Sequence, residues 1–377
     1  MKIAHVFHNY YPVVGGLERA VQSLAEELAK MGHEVHVITS RFGAEKRPKE
    51  EVINGVYVHR VKALWLRFPD LTYPLEFAEK VLRDADIVHG HSQNSLFTVK
   101  LIEKAKKLGI KTVMYFMAID AFNDHPDSLV RLIGPYYARY VIKGAIALSD
   151  IKLVRSLRDQ EILSKKYGVE AILIPDGVPE WFLSHRYCGD EFRRRYGIDR
   201  DYALYVGRLH PLKGVDILIK ALYHIVKTSI DLKLVILGPG DAGPHRELAQ
   251  KLNVDKNVFF LGFVDEEIKI CAIDGSLAVV VPSVCDYVEV YPMIISEAWA
   301  RSKPIIVTRV GGIPYRVKHM VNGLLVPPKD PKALAEAMIA LLQNKELVTR
   351  LGAEGRKEII TWSEVATKML SIYKGYA

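Results

Sequence analysis

The sequence predicts an α/β protein with two doubly wound domains. Three observations predict this class. The chain has 377 residues, enough for two domains that each bury a core. Short apolar strands alternate with amphipathic helices, and this rhythm is broken from Asp176 to Asp201. We therefore predict an N-terminal domain at 1–180, a C-terminal domain at 181–360 and a final helix at 361–377.

The N-terminal domain is predicted to begin with a βαβ unit. The run IAHVF is rich in β-branched and aromatic residues, which predicts a strand. Apolar residues then recur at helical spacing, at Leu17, Ala20, Val21, Leu24 and Leu28. Gly32 ends this helix before the strand EVHVIT. Further strands are predicted at 56–61, 86–91, 111–116, 145–149 and 171–175, with a helix near 97–108.

The C-terminal domain is predicted to repeat this alternation from Tyr202 onward. Its strands are predicted at YALYVG, LKLVILG, VFFLGF, LAVVVPS and PIIVT. Helices near 215–227 and 244–252 separate the first three of these strands. Asp330 before Pro331 predicts another helix start, because aspartate caps free amides and proline fits the first turn.

The composition excludes several classes of protein. An apolar fraction of 49% excludes disorder, and no apolar run reaches the roughly 18 residues that cross a bilayer. The net charge of +8 comes without a basic block, which disfavours nucleic acid as a partner. Only 8 Asn and 5 Gln accompany abundant Lys, Arg and Glu, a pattern typical of thermophiles. We expect a soluble, cytoplasmic protein from a thermophilic source.

The cysteines are too few and too scattered to predict a disulfide framework or a cysteine-based zinc site. They stand at Cys188, Cys271 and Cys285. We expect buried or incidental thiols. His89 and His91 form an HxH pair at a strand end, but no further ligands are evident, so we expect no metal site.

Two glutamates separated by seven residues, Glu289 and Glu297, are the strongest chemical signal. Pro292 fits the first turn of a helix, so the amides of Met293 and Ile294 would point outward and could hold a phosphate. Carboxylates beside a phosphate repel it unless they have another task, such as accepting hydrogen bonds from vicinal hydroxyls. A nucleotide sugar combines both groups. The alternative is two capping or solvated glutamates.

Two loops that follow predicted strands strengthen this interpretation. Gly207–Gly214 places Arg208 and Lys213 where a diphosphate needs countercharges, although surface charge in a turn is the alternative. Thr308–Ile313 contains a glycine pair that could let the backbone approach a ligand, or could simply form a tight turn. In the first half, Gly15 and Gly16 open a helix and could cradle a phosphate, a weak signal by itself.

These residues together resemble the retaining glycosyltransferases of family GT4, which have the GT-B fold of two Rossmann-like domains facing an interdomain cleft. The resemblance also implies that the final helix, at 361–377, crosses back to the N-terminal domain. The resemblance covers nearly the whole chain. Beside the Glu289–Glu297 motif it includes YYPVVGGLERAV, GHEVHVIT, DIVHGHS, ILIPDGV, YVGRLHPLKGVDILIKAL, GGIP and NGLLVPPKD. The N-terminal half is similar in character to lipid-carrier glycosyltransferases, including PIG-A-like GlcNAc transferases.

The resemblance implies a catalytic set of Arg208, Lys213 and Glu289. The two cations would bind the donor diphosphate, and Glu289 would contact the donor sugar. Glu297 would bind the ribose hydroxyls. Gly16 would meet the diphosphate from the opposite domain, and Gly15 is also implied as a donor-binding residue. The other implied donor-binding residues are Gly207, Gly238, Gly262, Val264, Tyr291, Met293 and Ile294, with Gly238, Gly262 and Val264 near the base.

Three positions depart from the family pattern. Met117 stands where a histidine is common, which makes Asp120 the nearest polar substitute for a donor-sugar contact. Tyr315 replaces the glutamate of the GGIPE motif, and Asp176 replaces the asparagine of the IPNGV motif. These departures bear on donor identity more than on class.

The resemblance implies transfer of a hexosyl or N-acetylhexosaminyl group, without cofactor or metal, from a UDP- or GDP-linked sugar. The acceptor would be a hydroxyl of a lipid-linked or soluble saccharide. Two rival classes remain, a GT-B nucleotide-sugar epimerase and a catalytically silent nucleotide-sugar-binding module.

Two segments could rest on an anionic membrane at its cytoplasmic face. Arg131–Lys143 interleaves aromatic residues with cations, and Trp65, Leu66 and Phe68 lie near Lys62 and Arg67. The favoured alternative for the longer segment is a core-facing helix with solvated cations.

Overall fold

The computed structural model describes residues 1–13, 15–66, 71–125 and 127–375, apart from the side chain of Val288. The chain divides into two compact units. The first comprises Met1–Gly177 and Ile360–Ala377, and the second comprises Val178–Ile359. The predicted boundaries at 180 and 360 lie within a few residues of these divisions.

The first unit is built on an eight-stranded sheet. Among its described residues the unit has the strands β1 Lys2–Val6, β2 Glu34–Ser40, β3 Glu50–Ile53, β4 Val56–Val61, β5 Ala63–Leu64, β6 Tyr73–Pro74, β7 Ile87–His91, β8 Lys111–Phe116, β9 Ile151–Val154 and β10 Ile172–Leu173. Strands β5 and β6 pair with each other outside the eight-stranded sheet. The strand order is β10-β9-β8-β7-β1-β2-β4-β3, and only β3 runs antiparallel to its neighbour in this sheet.

Helices cover this sheet. They are α1 Gly16–Lys30, α2 Glu79–Asp84, α3 Leu96–Lys107, α4 Ser128–Leu148 and α5 Leu157–Tyr167, with a 3-10 turn at Ala121–Asp124. The apolar face predicted for α1 is buried at Ala20, Val21, Leu24 and Leu28. Residues 145–149, predicted as a strand, instead form the end of α4, and the strand starts at Ile151. That prediction was wrong because a short apolar run fits the buried face of a helix as well as a strand.

The second unit contains a six-stranded parallel sheet. Its strands are β11 Tyr202–Val206, β12 Lys233–Leu237, β13 Val258–Gly262, β14 Ala278–Val281, β15 Ile305–Thr308 and β16 Leu324–Val326, in the order β13-β12-β11-β14-β15-β16. Both faces are covered, so successive residues of a strand enter different cores. Ala203 and Tyr205 of β11 pack in one apolar cluster, whereas Tyr202 and Leu204 pack in the other.

The helices of the second unit lie on both faces of its sheet. They are α6 Glu180–Ser184, α7 Gly189–Tyr196, α8 Val215–Val226, α9 Gly243–Lys251, α10 Glu266–Gly275, α11 Met293–Ala300, α12 Pro331–Gln343 and α13 Lys345–Arg356, and 3-10 turns occupy Pro211–Lys213, Asp255–Asn257, Asp286–Val288 and Ile313–Tyr315. Asp330 caps α12 by accepting from the amides of Lys332 and Ala333, as predicted.

The last helix, α14 Trp362–Gly375, belongs to the first unit, where it packs beside α1. Its buried residues include Trp362, Val365, Met369 and Tyr373. Among the helices of the described residues, none is both long and apolar enough to cross a membrane.

A disulfide joins Cys188 to Cys271, and this corrects the expectation of incidental thiols. Cys188 lies at the start of α7 and Cys271 lies within α10, so the bond ties these two packed helices together. The two cysteines are 83 residues apart in sequence. Their spacing carries no sign of pairing, because only the packing of α7 on α10 brings them together.

Candidate functional site

The connections of the second sheet create a crevice at its centre. β11 is the first strand of this unit; β12 and β13 follow on one side of it, and β14, β15 and β16 follow on the other. The connection after β11 therefore runs toward one side of the sheet, and the connection after β14 runs toward the other. Ligands of such sheets bind between two connections of this kind, at the carboxyl ends of the strands. The two loops meet there, because the amide of Val284 donates to the carbonyl of Leu212 over 3.0 Å.

Three of the implied donor-binding glycines lie side by side at this edge. Gly207 follows β11, Gly238 follows β12 and Gly262 ends β13. The amide of Gly238 donates to the carbonyl of Gly262 over 2.7 Å. A Cβ at Gly238, where φ is +138°, would clash with the carbonyl oxygen of Gly207. The glycines thus let the loops approach closely, and half-buried Val264 follows just beyond them.

Two residues of the implied catalytic set, Lys213 and Glu289, form an ion pair. The Glu289 carboxylate is 2% exposed and accepts from the Lys213 ammonium over 2.6 Å and from the Ser283 hydroxyl. A buried carboxylate is costly without such partners. Ser283 was not identified from the sequence as a site residue, although it is the last residue of the predicted strand run LAVVVPS.

Arg208 has a different environment on the same loop as Lys213. Its side chain is exposed, and no described residue forms an ion pair or side-chain hydrogen bond with its guanidinium. The Tyr205 hydroxyl donates to the Arg208 carbonyl over 2.8 Å and so fixes the backbone. The loop therefore presents one exposed guanidinium beside an ammonium that neutralises Glu289.

Gly311 and Gly312 support the loop that carries Glu289. The amide of Gly312 donates to the Glu289 carbonyl over 2.8 Å, and the amide of Gly311 donates to Asp286 Oδ1 over 2.7 Å. A Cβ on either glycine would clash with a carbonyl oxygen of Glu289 or Val290. The glycine pair predicted to approach a ligand or form a turn therefore lies against this loop.

Helix α11 begins at Met293, with Pro292 immediately before its first helical residue rather than inside the first turn. Met293 and Ile294 are half-buried, as is Tyr291, whose ring lies 4.3 Å from the Arg316 guanidinium carbon. Arg316 was not found from the sequence. It stacks on Tyr291 and donates to the Ser296 hydroxyl, so it links the loop to the helix.

Glu297 lies on the second turn of α11 and is paired with a lysine that the sequence reasoning missed. Lys269 of α10 donates to Glu297 Oε1 over 2.8 Å and to Glu266 Oε2 over 2.7 Å. Burial by itself would lower the pKa of Lys269, but the two carboxylates outweigh it and raise that pKa. A lone lysine in the apolar run IKICAI was the available signal.

In the first unit, Gly15 precedes α1 and Gly16 is its first residue. The Glu18 carboxylate folds back over this start, close enough that a Cβ at Gly15 would clash with it. Asn9 Nδ2 donates to Glu18 Oε1 over 3.3 Å. A carboxylate already lies where the sequence predicts a phosphate, and it complements the positive helix end.

His89 and His91 are joined by His5, which the sequence reasoning missed. All three are fully buried, and one ring nitrogen of each lies within 4.8 Å of those of the others. The parallel register of His5 with His89 explains the meeting. His5 Nδ1 and His91 Nε2 already share a hydrogen bond of 2.9 Å, and His89 Nδ1 shares one of 2.6 Å with the Tyr373 hydroxyl.

These histidines are the described residues of the first unit that could hold a metal ion. Burial lowers the pKa of His5 to about 3, so its ring is neutral. In the second unit, His185 lies near Cys188 and Cys271, but the disulfide occupies both sulfur atoms. Neither cluster includes a residue of the Lys213–Glu289 site.

Neighbouring side chains hold Met117, Asp120 and Asp176, which bear on the departures from the family pattern. Gln93 clamps the backbone of buried Met117, donating to its carbonyl over 2.8 Å and accepting from its amide over 2.9 Å. The Asp120 carboxylate, the nearest polar substitute for the missing histidine, accepts a hydrogen bond from the Lys166 ammonium over 2.7 Å. Asp176 pairs with buried Arg155 over 3.1 Å, and Tyr315 is exposed.

Comparison with known proteins assigns the chain to a family. Residues 190–358 match the family Glycosyl transferases group 1, and residues 14–180 match Glycosyltransferase Family 4. An uncharacterized glycosyltransferase of Methanocaldococcus jannaschii is 30% identical, over 99% of this chain and 98% of that protein. The chain is a GT4 glycosyltransferase.

Two further similarities extend over the whole length of this glycosyltransferase. The phosphatidylinositol N-acetylglucosaminyltransferase GPI3 subunit of Saccharomyces cerevisiae is 23% identical, over 98% of this chain and 82% of that subunit. The crystal structure of Anabaena HepE in complex with UDP superposes with a TM-score of 0.77 at 18% identity, covering 100% of each chain. The fold is GT-B, with two Rossmann-like domains, as predicted.

Proposed function

We propose that this glycosyltransferase moves a hexosyl or N-acetylhexosaminyl group from a nucleotide-diphosphate sugar to a hydroxyl of a lipid-linked or soluble saccharide. A UDP-sugar is the favoured donor and GDP-mannose the second. The observation that carries the proposal is the Lys213–Glu289 pair beside the exposed Arg208, at the centre of the second sheet. Cations suit a diphosphate and a carboxylate suits sugar hydroxyls. The UDP complex of HepE supports this donor class.

The proposed reaction retains the configuration at the sugar C1. The bond between C1 and the diphosphate oxygen breaks, and its electron pair leaves on the diphosphate. The acceptor hydroxyl oxygen bonds to C1 on the same face, and its proton passes to the departing phosphate oxygen. No protein carboxylate needs to bond to C1, unlike the nucleophile of retaining glycosidases.

Protein groups supply the stabilising charge in this scheme. Arg208 and Lys213 would meet the negative charge that builds on the diphosphate, and the amides at the start of α11 would add to it. Lys213 is held by Glu289, and the amides are held by the helix, so these two groups are in place before the reaction. We therefore propose that transfer needs neither a metal ion nor another cofactor.

A panel of UDP-, GDP- and ADP-sugars, assayed in excess EDTA, tests the proposal. We expect tight binding of one nucleotide class, with UDP first, and slow hydrolysis of that donor when no acceptor is added. Analysis of the released sugar should show the starting anomeric configuration and no epimer. An epimerised sugar would instead identify an epimerase, and binding without turnover would identify a silent module. Activity that EDTA abolishes and Mg²⁺ restores would contradict the metal-free scheme.

The acceptor is proposed to lie at an anionic membrane, and helix α4 supports this. One face of α4 is buried at Val130, Val141, Ile142 and Ala145, as the core-facing alternative requires. Its other face exposes five large apolar residues, namely Leu129 at 44%, Leu132 at 69%, Ile133 at 54%, Tyr136 at 76% and Tyr140 at 82%. Exposed cations accompany them at Arg131, Arg139 and Lys143, and no acidic residue lies on the helix.

An apolar helix face with cations alone complements an anionic lipid surface. The second predicted segment is exposed at Trp65 and Leu66, whereas Arg67 and Phe68 lie outside the described residues. We expect the protein to float with phosphatidylglycerol-containing vesicles and not with neutral phosphatidylcholine vesicles.

Substitution of Leu132→Ser together with Ile133→Ser is expected to weaken that vesicle binding about tenfold, because apolar area is lost from the interface. Tyr57→Ser removes an exposed aromatic residue of β4 in the same unit and should leave binding unchanged. Donor hydrolysis should be unaffected in both variants. Equal flotation with neutral vesicles, or no loss in the double variant, would refute this surface.

A further inference from the structure

Lys269 is a buried lysine held between two carboxylates. It lies on α10, is 6% exposed, and donates to Glu266 on its own helix and to Glu297 on α11. Burying an ammonium is costly unless it is paired, and here two ion pairs of 2.7 and 2.8 Å offset that cost. Lys269 therefore remains charged and fixes the side chains on either side of it.

The lysine contacts only one oxygen of Glu297. It binds Oε1, while no described residue donates to Oε2. The Glu297 side chain is 14% exposed, so it keeps a path to solvent. A carboxylate held at one oxygen and open at the other is suited to accept from a hydroxyl, because its orientation is already set.

The ion pair between Lys269 and Glu297 also reduces electrostatic repulsion in the proposed site. Glu289 and Glu297 flank the start of α11, where the proposed diphosphate would bind, and two unpaired carboxylates would repel it. Each glutamate has its own lysine: Lys213 lies 2.6 Å from Glu289, and Lys269 lies 2.8 Å from Glu297. The pairing lets carboxylates and a diphosphate share one site, because each negative charge of the two glutamates has a positive charge beside it.

We infer that Lys269 is a positioning residue for the donor ribose. It holds Glu297 so that the open oxygen accepts from the ribose hydroxyls of the nucleotide. The inference rests on the proposed function, since it requires a nucleotide-sugar donor. It makes Lys269 a determinant of the preference for ribose over deoxyribose, a role separate from the chemistry at the sugar.

Comparison of a UDP-sugar with its 2′-deoxyuridine counterpart in Lys269→Met tests this role. The wild type should favour the ribose donor about 10- to 100-fold in KM, the range for a hydrogen bond to a charged group. In K269M the KM for the ribose donor should rise toward that of the deoxy donor. The KM of the deoxy donor and kcat should change by less than about threefold. A merely structural role would affect both donors alike.

Lys233→Met is the matched control, because Lys233 is also a largely buried, paired lysine of the second unit. It binds Asp231 over 2.9 Å at the amino end of β12, on the opposite edge of the sheet. Its ribose preference should equal that of the wild type. If K269M does not fold, Lys269→Gln carries the test, and it should lose part of the preference.

Unchanged ribose preference in a folded K269M or K269Q, with the wild type active on the UDP-sugar, would overturn the inference alone. A wild type that binds no nucleotide sugar would overturn the proposed function and this inference with it. Loss of preference in K269M together with an unchanged preference in K233M supports both.

Discussion

Arg208→Ala combined with Lys213→Ala is expected to lower kcat/KM for sugar transfer by about 10³-fold or more. Removing one fixed group that stabilises developing charge costs about 10²- to 10³-fold, and this variant removes two. Initial rates at several donor concentrations measure the effect. The loss should fall mainly on kcat if both cations act on the departing diphosphate.

Arg208→Ala and Lys213→Ala are expected to differ in their effect on stability. The single variants therefore distinguish a loss of catalysis from a loss of folding. Lys213 neutralises Glu289, which is 2% exposed, so its loss leaves an unpaired buried carboxylate that costs about 3–5 kcal/mol. The guanidinium of Arg208 has no partner among the described residues, so Arg208→Ala by itself should leave the thermal transition unchanged while still lowering the rate.

A matched control removes the same charge elsewhere in the second unit. Lys251→Ala with Lys256→Ala eliminates two exposed cations that precede β13, away from the carboxyl edge of the sheet. Activity should remain near that of the wild type. Full activity in the Arg208/Lys213 variant would show that the diphosphate binds elsewhere.

Gly312→Ala is expected to destabilise the second unit by about 2 kcal/mol or more, at the upper part of the range for overpacking. The new Cβ would collide with the Val290 carbonyl oxygen, and the amide of Gly312 would be pushed from the Glu289 carbonyl that it now contacts. Because the loop carries Glu289, donor affinity should fall as well. Thermal melting and donor titration measure the two effects.

Gly144→Ala provides the comparison for this glycine. Gly144 lies in α4 with no atom near the position of an added Cβ, so alanine should stabilise the helix by about 0.5–1 kcal/mol. A Gly312→Ala protein that melts like the wild type and binds donor equally well would show that the loop can move aside. Glu289 would then not depend on the glycine pair.

Several site residues could be predicted because they are set by local pattern. Gly207, Gly238 and Gly262 each follow an apolar run, and parallel strands bring their carboxyl ends to one edge. Asp330 caps its helix through residues that follow it directly. The prediction of a strand at 145–149 was wrong because it, too, rested on local pattern: a short apolar stretch at the end of a helix has the same composition as a short strand.

The partners of the site residues could not be predicted in this way. Lys269 meets Glu297 across 28 residues, and Lys213 meets Glu289 across 76. The sequence indicated Lys213 as a diphosphate ligand and Glu289 as a sugar ligand, but not that they contact each other. Their pairing depends on how α10, α11 and the β11 loop pack, which no local pattern encodes.

The sequence by itself determined the α/β class, most of the strands and the glycosyltransferase family, because periodicity and motifs are properties of neighbouring residues. Tertiary structure alone decided which charges neutralise one another. It also decided that Cys188 joins Cys271, that His5 completes a buried histidine cluster, and that α4 exposes an apolar face. The physical reason is that ion pairs, disulfides and exposure depend on distances in space between residues far apart in the chain.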